Sequence, residues 1–226
     1  MPILSIEGGR APEGGRTAYY GNEVSFTVRL SEAMVDTVTV EYVALSGTAD
    51  YHNDLYSGRG GTVTFAPGQT EQIIRVKTAG DTLQELDESF FVELRNPKGA
   101  SFGGGNSTLT AIGWINDDDR VGDNRAVAVS HPVVTEAGGK AIFTVSLSQP
   151  FTENRSFSYQ TFDGTAKNGS DYTAKSGAIT FLAGETKAFV EVDLINDSVA
   201  EITESFGLSI TGAHNVTGAT GTAVIL

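Results

Sequence analysis

The chain has 226 residues, enough for two ordinary domains that each bury a core, and its 28 Asp and Glu outnumber 15 Lys and Arg to leave a net charge of −13. The basic residues are scattered, which excludes the clustered cationic surface that nucleic acid needs, and the lack of cysteine excludes disulfides and thiolate metal sites. No apolar run reaches the roughly 18 residues of a membrane helix, and Met1-Pro2-Ile3 opens neither a basic nor an apolar leader. Neither a signal peptide nor membrane insertion by this segment is therefore expected.

Taken in order, the chain reads as two copies of one unit. Phe26-Thr27-Val28 returns as Phe143-Thr144-Val145, Gly47-Thr48-Ala49 as Gly164-Thr165-Ala166, and Asp54 as Asp171, each 117 residues later. Gly61–Phe65 and Gly177–Phe181 then match at a spacing of 116, as do the acidic stretches GDTLQELDESFF (80–91) and NDSVAEITESF (196–206). Within each unit the apolar period is two, as in Val24, Phe26, Val28 and Leu30, so the segments are half-buried strands. Further strands are expected over 38–43, 62–65, 73–76, 90–94 and 109–115, and over 157–162, 178–181, 188–194, 206–210 and 221–226. Ala66-Pro67-Gly68-Gln69 and Leu182-Ala183-Gly184-Glu185 carry turn chemistry between strands. No segment sustains a helical period. Seven short strands per unit imply an all-β protein of two tandem immunoglobulin-like antiparallel β-sandwiches without the disulfide. The first is expected over 1–119 and the second over 126–226, joined by a polar linker at 120–125.

Strand parity then brings the acids together. If seven strands alternate in direction, the connections after the first, third and fifth strands share a pole with the end of the seventh. In the first unit these places hold Glu13, Asp54, the 81–88 loop with Asp81, Glu85, Asp87 and Glu88, and Asp117, Asp118 and Asp119. Like charges about 4 Å apart repel by roughly 4 kcal/mol at an effective dielectric near 20, so such crowding calls for a cation. Calcium takes six to eight oxygens, accepts bidentate carboxylates and tolerates irregular geometry, whereas magnesium wants fewer protein ligands. The D-x-D-x-D-G loop of an EF-hand is absent.

These residues resemble tandem Calx-beta domains, the regulatory-domain family of sodium–calcium exchangers that also occurs in integrin β4 and in bacterial surface proteins. The resemblance covers nearly the whole chain through SGTADYHND, TVTFAPGQT, GDTLQELDESFFVEL and INDDD in the first copy, and GTAKNGSDYT, AITFLAGET and NDSVAEITESF in the second. It implies calcium held at one pole by Glu13, Asp54, Asp81, Glu85, Glu88, Asp117, Asp118 and Asp119, with a backbone carbonyl near Leu83. The exchanger domains carry a further acid where this chain has Gly80 and Asn196. In the second copy the corresponding set is Glu136, Asp171, Asp197, Val199, Glu201 and Glu204. It is expected to be weaker, because Thr203 stands where the first copy has Asp87 and the chain ends at Leu226 before any acidic triplet, so that the C-terminal end is expected to be truncated.

His52, His131 and His214 have no partners between the repeats and are expected to be isolated surface residues, which leaves no Ser-His-Asp site. The paired carboxylates recur with the repeat and lack an aromatic cleft, so no glycosidase or other enzyme is implied. Trp114 is expected to pack. The expectation is a non-enzymatic, calcium-binding tandem β-sandwich from a larger extracellular or cell-surface protein, in which calcium stiffens the angle between domains. The alternatives are a cytoplasmic calcium-sensing region of a transporter and a metal-independent module that binds a protein or glycan.

Overall fold

The computed structural model describes residues 1–14, 22–103, 106–119, 123–197 and 202–226. They form two compact units, one built from Met1–Gly103 with Thr108–Asn124 and the other on Arg125–Leu226. Each is a β-sandwich.

In the first unit β1 (Ile3–Glu7), β3 (Glu23–Leu30), β6 (Glu71–Lys77) and β8 (Ser101–Phe102) form one sheet, in the order β6-β3-β1-β8. The facing sheet has the order β2-β9-β7-β4-β5, with β2 at Arg10–Pro12, β4 at Val38–Ser46, β5 at Gly60–Phe65, β7 at Glu88–Lys98 and β9 at Leu109–Asn116. The alternation read from sequence becomes the inner layer: Val24, Phe26 and Val28 of β3 and Val92 and Leu94 of β7 are fully buried. Phe26 and Phe90 meet edge to face with centroids 5.5 Å apart.

The expected single first strand is in fact two. β1 pairs antiparallel with β3, and after Gly8-Gly9 the chain crosses to the other sheet, where β2 runs parallel to β9. The crossing requires glycine, since a Cβ on Gly8 would lie 1.9 Å from the Ile112 carbonyl oxygen and one on Gly9 2.5 Å from that of Ser25. This path fixes the pole. Pro12 pairs with Asn116 and Glu88 with Ile115, so Glu13, Glu88 and Asp117 leave the same end of one sheet.

The second unit repeats the plan with β10 (Val127–Val129), β12 (Lys140–Leu147) and β15 (Lys187–Asp193) facing the order β11-β17-β16-β13-β14. The latter strands are β11 (Val133–Val134), β13 (Arg155–Asp163), β14 (Ser176–Phe181), β16 (Glu204–Ile210) and β17 (Ala219–Ile225). Its core holds the same aromatic pair, Phe143 and Phe206, 5.8 Å apart. Here too the first strand splits, β10 pairing with β12 and β11 with β17. Among the described residues the one helical element in this unit is a 3-10 turn at Glu136–Gly138.

Phe26→Ala should destabilise the first unit by about 3–5 kcal/mol, the usual cost of emptying an aromatic core site. Guanidinium denaturation followed by fluorescence of Trp114, the single tryptophan, reports on that unit and should show the loss.

Candidate metal centre

The four acidic segments of the first unit meet where the strand path directs them. The Glu13 backbone N–H donates to the Asn116 carbonyl at 2.8 Å, while its side-chain Oε1 accepts the Asp81 N–H at 3.0 Å. Asp118 Oδ1 accepts the Gly14 N–H at 3.2 Å, which ties the closing triplet to the same segment. Asp54 sits in the β4–β5 connection, with its Oδ2 accepting the Asp50 N–H at 2.8 Å and its carbonyl accepting the Ala79 N–H at 2.7 Å. Asp81 Oδ1 takes the Leu83 N–H, so the loop turns tightly there and leaves the Leu83 side chain outside. One ligand oxygen from each of Glu13, Asp117 and Asp119 lies within 4.8 Å of the other two.

Such proximity distorts ionisation. Burial, with Asp81, Glu85 and Asp117 nearby, pushes Glu13 up to about 7 against the lowering effect of the Asp81 N–H. Glu88 is pushed to about 8 by burial and by the charges of Asp54, Glu85 and Glu13, and its carboxyl donates to Asp54. Asp54, Glu85 and Asp119 are also raised, in each case first by burial and then by neighbouring carboxylates. Among the described residues, no lysine or arginine is a cause of these shifts. Asp119 Oδ2 is buried without a hydrogen-bond partner among the described residues.

The donor set suits a hard cation. All the side-chain donors are carboxylate oxygens, and oxygens about 2.4 Å from one calcium ion lie no more than about 4.8 Å apart, the span of the Glu13–Asp117–Asp119 triangle. An orphaned buried carboxylate oxygen is also what a cation satisfies. Glu13, Asp117 and Asp119 fit as one set; Asp54, Glu85 and Glu88, joined to it through Asp81, add further oxygens.

Position 80 requires glycine for a steric reason. A Cβ there would fall 1.8 Å from the Gly14 carbonyl oxygen, so the close approach that lets Glu13 reach the Asp81 N–H leaves no room for an acid. Asp50, omitted from the expected set, lowers its own pKa by capping the His52 and Asn53 N–H groups at 2.6 and 3.0 Å.

In the second unit Glu136, Asp171 and Glu204 gather. Burial raises Glu204, with Asp171 and Glu136 adding to the effect, and its Oε2 is buried without a hydrogen-bond partner among the described residues. Asp171 accepts the Lys167 N–H and is 5 % exposed. Asp197 is exposed, and Val199 and Glu201 lie outside the described residues. Lys167 takes the place that Asp50 holds 117 residues earlier, and its charge opposes the rise at Glu204. This acid-to-base exchange was legible in GTADYHND against GTAKNGSD.

His52 is exposed, with its Nδ1 3.8 Å from Asp50 Oδ1. His131 Nδ1 accepts the Thr222 N–H at 3.1 Å, and His214 stands edge-on to Phe157 with centroids 5.5 Å apart, so these two are held by their surroundings rather than isolated. Trp114 is buried.

Two β-sandwiches in tandem, the first with carboxylates from four segments crowded at one pole, define the class of protein. The chain belongs to the Calx-beta family, whose domain matches residues 20–119 and 122–226. It is 31 % identical over 201 residues to sodium/calcium exchanger 1 of Cavia porcellus, across 81 % of this chain and 20 % of that protein. It is 25 % identical over 236 residues to adhesion G-protein coupled receptor V1 of Danio rerio, across 92 % of this chain and 4 % of the receptor. The chain thus spans a fifth or less of these relatives' lengths. Among solved structures, CBD12 from CALX1.2 is 21 % identical, with a TM-score of 0.43, covering 98 % of this chain and 99 % of that one.

Glu13 and Glu88, raised from 4.5 to about 7 and 8, bind more protons folded than unfolded between those limits. Without metal, the stability of the first unit should therefore fall as pH rises from about 4.5 to 8, by at most about 1.4 kcal/mol per pH unit for each group. Thermal melts in EDTA across this range should show the decline, and a rise would contradict the arrangement.

Proposed function

We propose that the chain is a calcium-binding, non-catalytic tandem module of a larger protein, with its principal site at the acidic pole of the first unit. The supporting observation is the convergence of Glu13, Asp54, Asp81, Glu85, Glu88 and Asp117–Asp119 from four segments, with Asp119 Oδ2 buried and without a hydrogen-bond partner among the described residues. The proposed ligands are these carboxylates with the Leu83 carbonyl. Bound calcium would supply positive charge to this cluster of carboxylates. Glu13 and Glu88 give up the protons they hold near neutral pH, and Asp81 and Glu85 hold the loop against the closing triplet.

The first unit continues past Asp117–Asp119 to Asn124, and the second begins at Arg125. Calcium held by the triplet would limit the swing between units. The exchanger relatives, named for moving sodium and calcium, favour this calcium-responsive reading. We propose as domain limits 1–119 and 126–226, and as the setting a cell-surface or extracellular protein, where an affinity near millimolar suffices. The second setting is a cytoplasmic sensor within a transporter, favoured by the 31 % identity to an exchanger; it demands micromolar affinity. A protein or glycan ligand remains a proposal for the surface setting alone.

Calcium at 100 times its dissociation constant should stabilise the first unit by about 2.7 kcal/mol, which is roughly 10 °C in melting temperature. Small-angle scattering should show reduced interdomain motion, and Asp117→Ala/Asp118→Ala should remove both effects; a chain indifferent to calcium overturns the proposal. Under the same titration the second unit, with Lys167 at its pole, should shift by less than about 2 °C on the same scale.

A further inference from the structure

We infer that Asp87, which is outside the proposed ligand set, is the positioning residue that hangs the closing acidic segment on the metal pole; the inference rests on the calcium reading above. Asp87 is 1 % exposed, the most deeply buried acid of the pole. Both its carboxylate oxygens are engaged by the closing segment: Oδ2 accepts Asn116 Nδ2 at 2.7 Å and Oδ1 accepts the Asp117 N–H at 3.2 Å. Its own N–H donates to the Asn124 carbonyl at 2.8 Å, and Asn124 Nδ2 returns to the Asp117 carbonyl at 2.8 Å. Asn116 is gripped from the far side as well, because its carbonyl accepts the Glu13 N–H.

The ladder between β7 and β9 ends at the pair Glu88 and Ile115. One residue further, the Asp87 side chain replaces the missing rungs and fixes the Asn116–Asp117 peptide. The orientation of that peptide sets where Asp117 and Asp119 project, and so whether their oxygens fall within 4.8 Å of Glu13. A carboxylate suits the position because it accepts on both oxygens, whereas an amide would aim a donor at either Asn116 Nδ2 or the Asp117 N–H. Exchanging the two side chains restores the match: with Asp87→Asn and Asn116→Asp together, the new amide donates to the new carboxylate and still accepts the Asp117 N–H, at unchanged net charge. The second unit carries Thr203 at the corresponding place.

The test is calorimetric titration with calcium chloride, with amide hydrogen exchange of metal-free protein by NMR. A wild-type chain that does not bind calcium overturns the underlying reading, whatever the variants do. Given wild-type binding, Asp87→Asn should weaken it about 10- to 100-fold, the range for groups that orient metal ligands. It should also speed exchange at the Asp117 amide in EDTA, and Asp87→Asn/Asn116→Asp should recover both. Unchanged affinity and exchange in Asp87→Asn, or no recovery in the double variant, overturns the inference. Should Asp87→Asn fail to fold, Asn124→Ala decides in its place: about tenfold weaker binding with faster Asp117 exchange supports the clamp, and wild-type values overturn it.

Discussion

Mutual repulsion among carboxylates is the constraint on which the first unit turns. Crowding nine side chains of one sign at the end of a sandwich is unfavourable in proportion to their burial, because the low local dielectric that strengthens hydrogen bonds strengthens repulsion equally. Without a cation, the molecule reduces that strain by retaining protons. Burial pushes Glu13 and Glu88 up to about 7 and 8, and the Glu88 carboxyl donates to Asp54. A site that holds protons near neutrality can exchange them for a metal ion, so proton retention and the proposed calcium affinity have the same physical origin.

The scaffold tolerates this because the strain is confined to connections while the sheets beneath are apolar and closely packed. Phe26 and Phe90 lock β3 to β7, and Phe143 and Phe206 do the same in the second unit. The sheet switch at Gly8-Gly9 matters more to the pole than any core contact. Without it β2 would not lie parallel to β9, and Glu13 would not reach the ends of β7 and β9. A backbone crossing that admits no Cβ is thus the geometric precondition of the acidic cluster.

The two copies show how small changes separate equivalent sites. Lys167 stands where the first unit has Asp50, and Thr203 where it has Asp87. The first change adds a cation beside Glu204; the second removes the carboxylate that, in the first unit, receives Asn116 and the Asp117 N–H. Both changes point away from a strong metal site, although the scaffold is the same.

Periodicity and repetition are local properties of a chain, and they determined a great deal here. The period of two, the 116–117 residue spacing and the acids placed after alternate strands were enough for the all-β class, the tandem sandwiches and the candidate pole. The divided first strand escaped because β1 and β2 are five and three residues long and carry too little pattern to register a change of sheet. Tertiary structure alone decided where the Asp87 carboxylate points, since that depends on direction. Asp87 and Glu88 are neighbours in sequence, yet Glu88 faces Asp54 and Glu85 while the Asp87 carboxylate is hydrogen-bonded to Asn116 and Asp117. Successive residues at a strand end project to opposite sides, and which side holds the cluster is fixed by the sheets that pack around it.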